Sequence, residues 1–506
     1  MFRKLLSVSG FTLLSRITGF LRDALLAWTL GAGLISDSFF VAFLFPNYFR
    51  AIFGEGTINP AFLPRFAALK ARGEHAAAAK FANDVFAWQM AAQIILLLLA
   101  MLFMPVIIHL LAPGWRGEQF DLTVSLARVT FPYLIMTLVA VQLSAMLNAI
   151  DRFWAGAFWS NLQNLAMIAT LLLWHWFPDA AYAAAWGVFA GGVAQVIFIL
   201  WAGAREGLWL RLTWPRWSPQ MKEFFIAFGA VTFGAASVVI APFIDTILAS
   251  WLPIGSRTAL YYADRINQLP LGVLGIAIGT VLLPEMSARL AKGDTAGSSA
   301  AQNRSAAMSL LLTLPFMVTF LVIPGVIIRA VFLHGAFNPQ AAQLASLALM
   351  AYGAGLPAMA LVRIIASTFY ARHDTLTPAR ATLIALATNI ALKIFLVWGL
   401  GWGVAGIALG TAAGAWLNVA ILTLTGRSRM LLAIETQFVR ALPPALLAAL
   451  ACGLGAWLGA HLGATLLPGH WRDVAALATA MLCAALGYGG TVLLFRRALP
   501  LGRLAR

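Results

Sequence analysis

Residues 15–56 read SRITGFLRDALLAWTLGAGLISDSFFVAFLFPNYFRAIFGEG. Two apolar runs, each long enough to cross a bilayer, meet at the turn Gly31-Ala32-Gly33. Set into them are Arg16, Arg22, Asp23, Asp37 and Arg50, with Glu55 just beyond. A charge at the centre of a membrane helix costs roughly 2.5–3.5 kcal/mol on insertion scales. Three arginines in one hairpin therefore carry a penalty of about 5–10 kcal/mol, less what snorkelling and pairing recover. Such a pattern is usually kept for a polar cavity. The hairpin points to a cationic cavity that receives an anionic group inside the membrane.

Composition agrees. Of 506 residues, 61% are hydrophobic and 10% charged, with a mean hydropathy of +0.86. A soluble domain carries about 25% charge, so the chain reads as a polytopic, all-α membrane protein. Arg3 and Lys4 would suit a signal peptide, but Arg16 and Arg22 interrupt the apolar core it needs, so no cleaved leader is expected. Cys452 and Cys483 lie in apolar runs with neither metal-ligand nor disulfide spacing; they read as inert thiols.

The net charge of +16 raises nucleic acid as a partner, and its distribution answers that. We read fourteen spans, centred near residues 18, 43, 96, 136, 167, 194, 237, 271, 317, 356, 388, 414, 453 and 484. With the N-terminus inside, only Arg116, Arg257 and Arg472 fall in outside loops. Arg16, Arg22, Arg50, Arg128, Arg265, Arg329, Arg363 and Lys393 fall within spans. The rest of the 34 Lys and Arg are cytoplasmic. This is the positive-inside pattern, and no nucleic acid is implied.

The segment Pro60 to Asp84 reads as an amphipathic helix, either lying on the inner leaflet or solvated as a loop. A polar connection, residues 206–222, separates an N-lobe (1–205) from a C-lobe (223–427), and residues 428–506 form a two-helix appendage with a basic tail. Its Trp209, Trp214 and Trp217, with Arg211 and Arg216, suit the headgroup level. The lobes are similar: a shift of 222 residues brings Asp23 to Asp245 and Gly33 to Gly255, and one of 225 brings Pro132 to Pro357 and Asn164 to Asn389. An even number of spans separates the copies, so both have the same orientation, with an axis along the membrane normal.

Several side chains then stand out. On a straight helix Arg16 and Asp23 share a face and Arg22 points away, so lining one cavity needs a bend, for which Gly19 is available. Arg265, beside Asp264, lies in the repeat copy of the hairpin. Arginine suits phosphate because its planar fork engages two oxygens at once. The competing reading for Arg16 and Arg22 is structural pairing with Asp23 or Asp37. For Arg50, Arg128, Arg329 and Arg363 it is snorkelling, and Asp37 and Glu55 also fit gate-closing partners. Asp245, Lys393 and Asn389 form a second group, read as a buried ion pair or a protonation- or ion-coupled site. No paired-histidine motif, phosphate loop or nucleophile elbow occurs, so neither catalytic residues nor a metal site are assigned.

At these residues the chain resembles the MurJ (MviN) family of bacterial lipid II flippases, in the multidrug/oligosaccharidyl-lipid/polysaccharide exporter superfamily. SRITGFLRDALLA, GAGLISDSFFVAF, PNYFRAIFGEG, YYADRINQLPLGVLGIAIGTVLLP and FYARHDTLTP carry the resemblance over essentially the full length. It implies fourteen helices as two six-helix lobes with two more forming a groove for a polyprenyl tail. It also implies that Arg16, Arg22, Arg50 and Arg265 contact the diphosphate of the lipid carrier, with Asp37 and Glu55 at further acidic positions. Gly54 and Pro60 depart from the family's pattern at the inner gate. Some members carry a sodium site to which Asp245 and Asn389 correspond; Lys393 stands at its second acidic position.

The expectation is a non-enzymatic flippase in the bacterial cytoplasmic membrane, with both termini inside. It would move lipid II outward by alternating access among membrane lipids and cell-wall synthesis proteins. A flippase for another polyprenyl-diphosphate saccharide and a non-transporting scaffold are the alternatives. No cofactor is expected; sodium, protons or the membrane potential remain open as energy source.

Overall fold

The computed structural model describes residues 2–50, 58–496 and 499. They form helices joined by short turns and divide into two compact units. The first, Met1–Gly255 with Gly335–Phe337, contains α1 (Phe2–Leu30), α2 (Leu34–Phe49), α3 (Ile58–Ala71), α4 (His75–Leu111), α5 (Gly117–Thr130), α6 (Tyr133–Ala149), α7 (Phe153–Leu172), α8 (Ala180–Arg205) and α9 (Pro219–Ala249). The second contains α10 (Ser256–Ala291), α11 (Thr295–Val322), α12 (Pro324–Phe332), α13 (Pro339–Tyr370), α14 (Leu376–Ile394), α15 (Gly403–Ser428), α16 (Thr436–Leu466) and α17 (Arg472–Leu494). Each of the fourteen expected centres falls inside a helix. Among the described residues, nine helical stretches are long and apolar enough to cross a membrane.

Local chemistry sets the ends. Asp179, Ser218, Asp294 and Asn338 each accept a hydrogen bond from a first-turn amide, starting α8, α9, α11 and α13. Pro132 stands where α5 gives way to α6, since proline supplies no amide to the ladder.

The internal repeat is visible in the turns themselves. After α3, Gly73 takes φ 76° and the Glu74 amide donates to Leu69 O; after α10, Gly293 takes φ 75° and Asp294 donates to Arg289 O. After α6, Asp151 takes φ 64° and Arg152 donates to Leu147 O; after α13, His373 takes φ 61° and Asp374 donates to Phe369 O. After α8, Gly207 takes φ 67° and Leu208 donates to Gly203 O; after α15, Met430 takes φ 54° and Leu431 donates to Gly426 O. All six are the Schellman ending, in which one left-handed residue lets the chain bond back over the last helical turn. One ion pair recurs with its charges exchanged. Arg152 bonds Glu206 at 2.9 Å in the first unit, and Asp374 bonds Arg429 at 3.1 Å in the second.

One expectation changes. The helix of the Pro60–Asp84 segment does not lie on the leaflet by its apolar face: Ile58, Phe62 and Phe66 of α3 are buried in the protein core. Phe62 stacks on Phe66 and Phe81, while Arg65 sits over Phe81 and pairs with Glu223 of α9. Stacked aromatic pairs of this kind are worth about 0.5–1.5 kcal/mol beyond their area burial. Arg329, read as snorkelling, donates through Nε to Asp473 Oδ1 at 3.1 Å and ties α12 to α17. Helices α16 and α17 pack closely through Gly455, Gly459 and Gly463, where a Cβ would meet the α17 backbone within 3.0 Å. The connection 206–218 rests on α4 through Arg211 N–H to Asn83 and Trp88 Nε1–H to Arg216 O, with Trp209 and Trp214 exposed.

A candidate anion-binding site

Helix α1 runs unbroken from Phe2 to Leu30, Gly19 included. Residues 15, 18 and 22 recur at helical spacing along the line where α7 packs. Arg22 and Asp23 are both buried. Arg22 donates to Asp23 Oδ1 from Nε at 3.0 Å and from Nη2 at 2.7 Å. Its third nitrogen, Nη1, donates to Asn164 Oδ1 at 2.9 Å. Asn164 in turn donates through Nδ2 to Thr18 Oγ1 at 3.2 Å and to Ser15 O at 3.3 Å. Asn161, one helical turn earlier, reaches Thr18 Oγ1 and Phe11 O. A guanidinium, a carboxylate and an amide thus form a closed cradle whose parts are fixed from two helices. An anion entering here would compete with Asp23 for a fork already in place.

The other expected residues are placed as follows. Arg16 is exposed. Arg50, half-buried at the end of α2, donates to Asn47 Oδ1 at 3.2 Å. Asp37 is buried and accepts the Gly255 amide through Oδ2 at 2.7 Å. Glu55, with the Gly54-Glu55-Gly56 motif, lies outside the described residues. In the second unit Arg265 is half-buried, its guanidinium 4.9 Å from the Tyr261 ring centroid and Nη2 bonded to Tyr261 Oη at 2.9 Å. Its neighbour Asp264 accepts from Gln268.

Asp245 belongs to the first unit, Asn389 and Lys393 to the second. Lys393 is fully buried, 0% exposed. Its stem lies where a side chain on Gly410 of α15 would be, and Asn389 lies likewise against Gly414. The glycines at 410 and 414 therefore seat the polar face of α14, and Gly406 packs on Leu396 just beyond it. A π-helical turn, Phe395–Gly399, follows directly. Asn161 and Thr18 were not singled out in the sequence. Asn164 was noted only as the repeat-mate of Asn389, although an asparagine in mid-span was itself a signal of a polar partner.

The fold is shared with solved transporters. A structure of the lipid II flippase MurJ in an inward closed conformation is similar at TM-score 0.79 and 23% identity, covering 97% of this chain and 99% of that one. An inward-facing multidrug resistance MATE family transporter of the MOP superfamily matches at TM-score 0.64 and 15% identity, covering 84% and 98%. The class is thus a multi-pass membrane protein of the transporter fold. In sequence, the family model for the lipid II flippase MurJ matches residues 26–470. A probable lipid II flippase MurJ of Rhizobium tropici is 39% identical over 433 residues, covering 84% of this chain and 80% of its own. The lipid II flippase MurJ of Burkholderia cenocepacia is 31% identical over 441, covering 85% and 84%. The chain belongs to the MurJ lipid II flippase family.

Proposed function

We propose that the chain carries lipid II, the lipid-linked peptidoglycan precursor, from the inner to the outer leaflet of the bacterial cytoplasmic membrane, with both termini inside. The observation that carries the mechanism is the cradle of Arg22, Asp23 and Asn164. A diphosphate displacing Asp23 from the guanidinium exchanges one anion for another, so no positive charge is left alone during loading. Arg16, Arg50 and Arg265 supply the remaining positive charge, and Asp37 and Glu55 act as gating carboxylates. Fourteen spans would form two six-helix lobes, residues 1–205 and 223–427, joined by 206–222. The polyprenyl tail stays in lipid along residues 428–506, where α16 and α17 keep Leu450, Leu454, Leu482 and Leu486 exposed.

Transport by alternating access needs a ligand with different affinities for the two states, and the diphosphate provides it by neutralising arginines that otherwise hold carboxylates. No bond of the substrate is broken. For energy coupling, the buried Lys393 beside Asn389 supports a fixed ammonium in place of a sodium ion, leaving protons or the membrane potential as the source. A bacterium depleted of its own flippase tests the reading. The native chain should restore growth and clear accumulated lipid II, while Arg22→Ala or Arg265→Ala should do neither. Full rescue by either variant would sink the arginine assignment. A flippase for another polyprenyl-diphosphate saccharide, or a scaffold, would leave lipid II accumulated even with the native chain.

A further inference from the structure

Two loops of the first unit each bring a backbone amide and a glycine against a helix end. After α4, Gly114 donates its amide to Ser250 Oγ at 3.1 Å, and the Ser250 hydroxyl passes its own proton to Ile247 O at 2.7 Å. A Cβ on Gly114 would lie within 3.0 Å of the Ser250 carbonyl. In the segment Gly335–Phe337, the Ala336 amide donates to Trp28 O at 2.9 Å, and a Cβ on Gly335 would lie within 3.0 Å of the Trp28 indole and carbonyl. Gly31 approaches the Ala336 carbonyl as closely. The last carbonyls of a helix have no partner within it; at the end of α1 the Ala336 amide meets the Trp28 carbonyl, and at the end of α9 the Gly114 amide meets the Ser250 hydroxyl.

The correspondence is reciprocal. The shift of 222 residues that carries the first half of the sequence onto the second takes Trp28 to Ser250 and Gly114 to Ala336. Each repeat therefore lends one loop to the first helix of the other. The contacts use backbone amides, glycine surfaces, the Ser250 hydroxyl and the Trp28 indole, and no charged side chain, so separating them strands no charge. We infer that the two loops form a single clasp, on the side that the charge distribution assigns to the outside. It releases as one unit when that side opens. The inference rests on the alternating-access reading for its purpose, and on the paired geometry alone for its existence.

Hydrogen exchange on the full chain in lipid nanodiscs tests it. A wedge at one loop, Gly114→Ala, should speed exchange of the Ala336 amide by at least about tenfold, and Gly335→Ala should do the same to the Gly114 amide, with α7 and α8 unchanged. Exchange that rises only at the substituted loop overturns the single clasp. Coupled exchange in a chain that moves no lipid II would retain the clasp and refute the flippase reading.

Discussion

At the scale of the residue, the buried Arg22 is held on every nitrogen. Arg22 spends two of its nitrogens on Asp23 and one on Asn164, so the carboxylate offsets the burial of a guanidinium. Removing one partner of a buried pair costs about 3–5 kcal/mol, because the other charge stays behind. Asp23→Ala should therefore lower stability by about that amount, read as an earlier thermal unfolding midpoint in detergent. A midpoint unchanged from the native chain would show that the cradle contributes nothing. Gly410 offers a separate test. Gly410→Ala places a methyl group against the stem of the buried Lys393, and overpacking of this kind costs about 1–3 kcal/mol. Lys393→Ala removes the obstruction, so the double variant should be more stable than the sum of the single effects predicts. Strict additivity would place the two residues out of contact.

At the scale of the element, the turn between α13 and α14 responds to pH in a defined direction. The Thr377 amide and hydroxyl, together with Arg429, hold the Asp374 carboxyl below its ordinary 3.8. A carboxyl depressed on folding stabilises above its unfolded value, and that contribution is lost as pH falls through the folded one. Protection of the Thr377 amide should hold at neutral pH and fall only below 3.8, while Asp374→Asn should weaken it at neutral pH already. Loss beginning well above that value in the native chain would contradict the assignment. This element also marks the limit of sequence reading. Pro132 and Pro357, or Asp23 and Asp245, align because the residues are identical. The pairs Arg152–Glu206 and Asp374–Arg429 escape such matching because the charges are exchanged, although the turns they clip have the same geometry. The face of α3 was ambiguous for a different reason. Phe62 and Phe66 at helical spacing suit a lipid surface as well as a protein core, and only packing against Phe81 and Phe224 decides.

At the scale of the whole molecule, the order of helices was legible because apolar runs and the positive-inside bias are written along the chain. Family membership was legible because the motifs around Arg22 and Arg265 cover both halves. What was not legible joins distant positions: the Asn164 amide that completes the cradle, 142 residues from Arg22, and the Asp473 carboxylate that holds Arg329, 144 residues away. Periodicity places each on a helix and is silent on which helices meet. Whether these parts carry a diphosphate-linked lipid between leaflets is decided by following labelled lipid II in cells where this chain is the sole flippase. Label should reach the outer leaflet with the native chain and stay inside with Arg22→Ala, both proteins being present at equal levels in the membrane. Equal delivery by the two proteins, or none by the native chain, would contradict it.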